Sequence, residues 1–217
     1  MRVRSLLQFA ARICFVRRKL VFEAGLNDIH NVAPRIVVRF RFGDEGDLMR
    51  LCGNTYDYDK AAINLGRERL RAGDRLVLAE RVNAQGNEIV FSGWLMSGQL
   101  DMGVRRYLPL CPDALYSYRL FTAPAHRGQK LSAAYFAFVR NQLEVAGQHR
   151  LITWVEARNH VSRRIHRGAG FRPIGCIWHI HFLFHSYFYA PRALRAHLRG
   201  LNLERAAAVA GAGASRA

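Results

Sequence analysis

The chain has 217 residues, 50% of them hydrophobic and 23% charged, which suits one sizeable domain and excludes disorder over most of its length. Its 33 lysines and arginines against 16 aspartates and glutamates give a formal charge of +17, which favours polyanionic partners: nucleic acid, an anionic membrane surface or a phosphate-rich cofactor. Four scattered cysteines (Cys14, Cys52, Cys111, Cys176) form no C-x-x-C pair, which argues against a zinc ribbon or disulfide framework and makes a reducing, cytoplasmic setting the expectation.

Taken in order, residues 1–20 place Leu6, Phe9, Ala10, Ile13, Val16 and Leu20 on one side of a helical wheel and Arg4, Arg12, Arg18 and Lys19 on or towards the other. This predicts a basic amphipathic helix that, with its linker, fills residues 1–30. Arginines interrupt it too often for a membrane span, and no small-residue cleavage site follows an apolar stretch, so neither a transmembrane helix nor a signal peptide is expected. The helix either covers the domain with its apolar face or lies peripherally on an anionic membrane.

Residues 36–42 are β-branched and then alternating, a predicted strand. Asp44 can cap a short helix over residues 45–51, and residues 58–71 have helical spacing up to a stop near Gly73. Residues 75–82 and 88–96 predict a hairpin, and residues 114–122 a third strand. A helix from Leu131 towards Gly147 and a short apolar strand over residues 151–156 then predict a right-handed parallel crossover. Asn159 to Ala169 is a second helix, made very basic by Arg163, Arg164 and Arg167. Residues 171–188 are strand-like with no Gly, Pro or Asn turn signal after Cys176, and Pro191 opens a terminal helix to about Leu203. The expected domain is therefore residues 31–203, followed by a small-residue tail over 204–217 expected to be disordered.

Between the strand at 116–122 and the next helix lies His126-Arg127-Gly128-Gln129-Lys130-Leu131-Ser132, where an α/β protein would hold a phosphate group. The order of elements resembles the GNAT family of N-acetyltransferases. Three local features carry the resemblance: Thr122-Ala123-Pro124-Ala125-His126-Arg127-Gly128, the pair Glu156 and Asn159, and Ala169-Gly170-Phe171. The resemblance implies an α/β (α+β) fold, a mixed central sheet flanked by helices, with acyl-CoA bound at a splay between the two central strands. It also implies acetyl transfer from acetyl-CoA to a primary amine by direct attack. Arg127, Gly128, Gln129, Lys130, Leu131 and Ser132 would hold the pyrophosphate together with Asn159, although Lys130 and Ser132 stand where the family has small residues. The backbone near Phe121 and Thr122 would polarise the thioester carbonyl. His166, where relatives carry a Tyr, would protonate the thiolate; Glu156 is the first candidate base, with Tyr118, Tyr116 and Asp113 behind it.

The acceptor would be a small-molecule, peptide or saccharide amine, and the oligomeric state stays open, a homodimer included. His179, His181 and His185 share one face if their strand keeps a strict period of two, but no Cys, Asp or Glu nearby completes a ligand set, so no metal is expected. Trp178, Phe182 and Phe184 fall on the opposite face and are expected in the core. Asp44, Glu45, Asp57 and Asp59 serve capping and solvation, or meet a cationic acceptor. Two rival functions remain. A nucleic-acid-binding domain is motivated by the charge but lacks a binding module. A membrane-surface acyltransferase using long acyl chains or amphiphilic acceptors is motivated by the N-terminal segment and the apolar run 182–189.

Overall fold

A computed structural model describes residues 14–51, 60–83, 86–103, 105–144 and 147–201. The strands of its large sheet are β1 (Cys14–Gly25), β2 (Arg39–Gly43), β3 (Arg75–Asn83), β4 (Gly86–Ser97), β7 (Ala114–Thr122), β8 (Arg150–Glu156), β9 (Arg172–Phe182) and β10 (His185–Tyr189), with a separate hairpin of β5 (Gln99–Gly103) and β6 (Arg106–Pro109). The sheet order is β10-β9-β1-β8-β7-β4-β3-β2. Every adjacent pair is antiparallel except β7 and β8. The helices are α1 (Glu45–Leu51), α2 (Lys60–Arg71), α3 (Leu131–Leu143), α4 (His160–Gly168) and α5 (Arg192–Leu198). One face of the sheet is covered by α1, α2, the β5–β6 hairpin and α5, through Leu48, Ile63, Leu100 and Leu194. The other is covered by α3 and the end of α4, through Tyr135, Phe136, Val139 and Phe171.

The expected crossover is present: β7 and β8 are parallel, with α3 between them in sequence. The helix expected over residues 1–20 is overturned in its described part, because Cys14–Gly25 form a strand lodged between β8 and β9. Residues 1–13 lie outside the described residues, as do Cys52, Asp57, Asp59 and the expected tail over 204–217. Val21, Phe22 and Ala24 are all buried, and a strand buried on both faces shows no alternation from which it could be recognised. Val16 and Leu20 fit a helical spacing equally well; two neighbouring strands decide the matter. Glu23 of β1, buried, accepts from Arg150 of β8 at 3.1 Å. Residues 14–25 are thus part of the sheet, not an appendage before residue 31.

The single strand expected over residues 171–188 is also corrected. The chain reverses after Phe182, with Leu183 at φ +54 and no glycine at the turn. His185 therefore leaves the face shared by His179 and His181. Ser186 takes its place, its hydroxyl 3.1 Å from His179 Nε2 and 2.9 Å from His181 Nδ1. No metal-binding group of three or more His, Cys, Asp or Glu occurs among the described residues. Phe182 and Phe184, expected in the core, are 55% and 94% exposed. Asp44 does cap α1: its carboxylate accepts from the Asp47 amide at 3.1 Å. Asp47 in turn joins Glu80 in a bidentate clasp on Arg41, with bonds of 2.6 to 2.9 Å, which fastens α1 to the edge of the sheet.

Candidate active site

Parallel pairing of β7 with β8 covers Ala114↔Arg150, Leu115↔Leu151 and Tyr116↔Ile152 and then stops. Beyond Tyr118 β7 bulges, since Arg119 and Leu120 lie opposite the single Gly93 of β4, with Arg119 at φ +50. A bulge re-aims the strand it sits in, so β7 and β8 diverge from this point. The gap is a cavity of about 390 Å³ bordered by Leu120, Trp154, Glu156, Asn159 and His166 among others. Beyond the bulge the Ala123 amide donates to Val90 at 3.0 Å. Amides alternate along a strand, so Phe121 also turns its N–H to β4, while Leu120 and Thr122 turn theirs to the side of β8. Of the two expected carbonyl-polarising amides, alternation directs that of Thr122 to the side of β8 and that of Phe121 to β4.

Past Thr122 the chain enters the loop that opens α3. Gly128 has φ +78, and a Cβ placed there would meet nothing within 4 Å. Lys130 has φ +59, the left-handed conformation that glycine adopts at no steric cost and other residues take less readily. The lysine thus keeps the backbone path expected of a small residue while adding an exposed cation. Gln129 fixes the loop, its carbonyl accepting from the Arg35 amide at 3.0 Å. Leu131 is buried in the core and Arg127 is exposed. The first amides of α3, those of Leu131, Ser132 and Ala133, precede the first helical bond, Ala134 to Lys130 at 3.0 Å. They point outward from the positive end of the helix dipole. Across the gap, Asn159 caps α4 by accepting from the Ser162 amide at 2.9 Å.

His166 is buried, its ring packed against Phe22, Phe136 and Phe171. Its Nδ1 lies 2.7 Å from the Ser162 carbonyl, and a carbonyl only accepts, so Nδ1 carries the proton. Nε2 then holds a lone pair, and it is buried with no hydrogen-bond partner among the described residues. Burial lowers the imidazole's affinity for a second proton, with only the Ser162 carbonyl opposing. The ring is therefore neutral; the residue borders the cavity, while its free acceptor Nε2 is buried.

The opposite wall is clasped by donors from adjacent strands. Trp154 Nε1 donates to the Asp101 carbonyl at 2.8 Å, Tyr116 donates to the same oxygen at 3.3 Å, and Lys19 Nζ donates to the Met102 carbonyl at 2.5 Å. Lys19 lies 3.8 Å from the Trp154 ring centre, and burial lowers its pKa, against the pull of Glu156 and Asp101. Tyr118 donates to Asp74 at 2.6 Å under the Arg69 guanidinium, 5.0 Å from the ring centre. Burial raises the Tyr118 phenol, against the pull of Arg69, and also raises the Asp74 carboxyl; the phenol remains protonated. Glu156 stands half-buried at the end of β8. The splay thus assembles Glu156, Tyr118, Asn159 and His166 around one cavity, while Thr122 and then residues 127–132 follow beyond the bulge of β7. Asp113 lies elsewhere, bonded to Arg150 at 3.1 Å. Sequence reasoning missed Lys19, Arg69, Asp74, Asp101 and Trp154, whose partners are distant in the chain and leave no local pattern.

Comparison with known proteins gives likeness in structure alone: no family model matches the chain, and no curated protein matches it. The glucosamine N-acetyltransferase region of a fungal multi-domain β-N-acetylglucosaminidase superposes with a TM-score of 0.56 at 14% identity, over 82% of this chain and 22% of that one. A GNAT-family acetyltransferase from Colwellia psychrerythraea gives 0.53 at 13% identity over 82% and 61%, and a GCN5-related N-acetyltransferase from Kribbella flavida gives 0.50 at 14% over 82% and 63%. The chain therefore spans less than two thirds of the length of these neighbours. It has the acyl-CoA N-acyltransferase fold, a mixed sheet flanked by helices.

Proposed function

We propose that the chain is an acyl-CoA-dependent N-acyltransferase that moves an acetyl group from acetyl-CoA to a primary amine of a small molecule, peptide or saccharide. What supports this most is one juxtaposition: the splay of β7 from β8 runs directly into the loop whose backbone turns through two left-handed residues to open α3. The residues there suit CoA. Open space over Gly128, the outward amides of Leu131, Ser132 and Ala133, and the exposed side chains of Arg127 and Lys130 make a seat for a pyrophosphate. When bound, the cofactor supplies an acyl thioester.

The chain's own groups would then act as follows. The amides of Leu120 and Thr122 hold the negative charge that develops on the thioester oxygen. Glu156 takes the first proton of the acceptor ammonium, directly or through one water, and passes it to solvent. Once the buried ring turns Nε2 towards the cavity, the attacking nitrogen gives up its second proton to that atom of His166, which hands it to the departing sulfur. The C–N bond forms, the C–S bond breaks, and one proton is released overall. This role needs a neutral imidazole with a lone pair at Nε2, the state that the Ser162 carbonyl and burial favour. Tyr118 and Asp74 shape the wall.

The test is thiol release from acetyl-CoA across a panel of aminosugars, polyamines and peptides, with the intact protein. Amine-dependent release by at least one acceptor class is expected. Absence of release from every amine, together with absence of CoA binding, removes the reading.

A further inference from the structure

The outer end of the sheet carries a surface that acyl transfer does not use. On one face β1, β9 and β10 bring Val16, Ile180 and Tyr187 into a single row, with Phe182 beside them and the Leu183-Phe184 turn beyond. These side chains range from 40% exposed at Ile180 to 94% at Phe184. Soluble proteins seldom leave so continuous an apolar patch without a partner. Next to it, Arg17, Arg18, Arg158 and His160 border a cleft floored by Trp178. None of these three arginines is in a salt bridge among the described residues.

Charge identifies the occupant. β9 and β10 contain no Asp or Glu, and β1 contains only Glu23, buried at its far end. A second copy would bring one chain of charge +17 against another, whereas an anionic bilayer answers both the cations and the apolar tip. Aromatic rings with one wet edge suit the headgroup region, and neighbouring arginines suit lipid phosphates. We propose that this face docks on an anionic membrane, Phe182, Leu183 and Phe184 entering the headgroup layer while Arg18 and Arg158 meet phosphates. Glu156 borders both this cleft and the cavity beside β8, so docking sets the candidate active site next to the lipid surface.

The full chain is sedimented with vesicles of phosphatidylcholine alone and of phosphatidylcholine with an equal part of phosphatidylglycerol. Binding to the mixed vesicles only, weakening as salt rises, is expected. Phe184→Asp, at an exposed turn, and the pair Arg18→Glu with Arg158→Glu should each lower that affinity by about tenfold or more. Leu6→Asp with Phe9→Asp, in the segment before β1, should change it by less than about twofold, since the proposed contact is made by β1, β9, β10 and the turn at Leu183 and Phe184. Failure of the parent to bind the mixed vesicles overturns the proposal, as does undiminished binding by Phe184→Asp or loss confined to the Leu6 and Phe9 variant. A parent dimer that Phe184→Asp makes monomeric, with no vesicle binding by either, would assign the face to a second copy instead.

Discussion

His166→Leu is expected to leave stability within about 1 kcal/mol of the parent, because a buried nitrogen without a partner is lost along with one hydrogen bond. Turnover of acetyl-CoA with any accepted amine should fall about 100-fold, the usual size of a missing proton-transfer group, with little change in CoA affinity. Stability also acquires a different pH dependence. Burial depresses the folded pKa of His166 below its ordinary 6.5, so the unfolded chain binds the proton more readily. The parent's stability from this group is complete above the unfolded pKa and is lost as pH falls below about 6.5, towards the depressed folded value. The leucine variant lacks that loss. Thermal melts between neutral and mildly acidic pH, beside initial rates, separate a proton-handling residue from a packing one: unchanged turnover would leave His166 as packing alone.

Gly170→Ala is expected to destabilise the fold by about 3 to 5 kcal/mol, enough to abolish most folded protein in a marginal domain. Gly170 has φ +101, and a Cβ there would stand 2.0 Å from the Asp28 carbonyl oxygen. Both the backbone path and the close approach therefore require glycine. The contact joins the end of α4 to the segment after β1, where the His30 amide also donates to Ala169 at 3.2 Å. Denaturant unfolding of the variant measures the cost; a loss below about 1 kcal/mol would mean that the segment yields easily.

Gly170 also shows why part of this molecule was readable in advance. From β7 to α4 each element is closed by a residue that breaks the pattern, Pro124, Gly147, Asn159 and Gly170, and each strand is short and apolar. There the expected elements coincide with those observed. β1 escaped because strand and helix spacing agree over Val16 and Leu20, and only the pairing with β8 and β9 distinguishes them. The β9–β10 turn escaped because Leu183, not glycine, takes the left-handed conformation. The β5–β6 hairpin is two strands of five and four residues, too short for alternation to register.

The candidate site divides in the same way. Its loop and its histidine sit on contiguous motifs and were found by position. The state of the histidine was not, because the neutral ring depends on a carbonyl one turn back and on Phe22, far away in the chain. Nor could the wall be read: Asp101 and Trp154 meet only because separate strands carry them to the same place. Lys130 carries a separate lesson. Its side chain departs from the small residue expected there, yet its backbone adopts the left-handed path such a residue would take.

The measurement that bears most directly on the acyl-CoA site is calorimetric titration of CoA into the intact protein at two salt concentrations. One CoA per chain is predicted to bind, more weakly at the higher salt, with Arg127→Glu lowering the affinity about tenfold, or about 1.4 kcal/mol, while leaving the melting temperature in place. Absence of binding at low salt, or affinity indifferent to Arg127→Glu, would contradict a pyrophosphate seat at the start of α3.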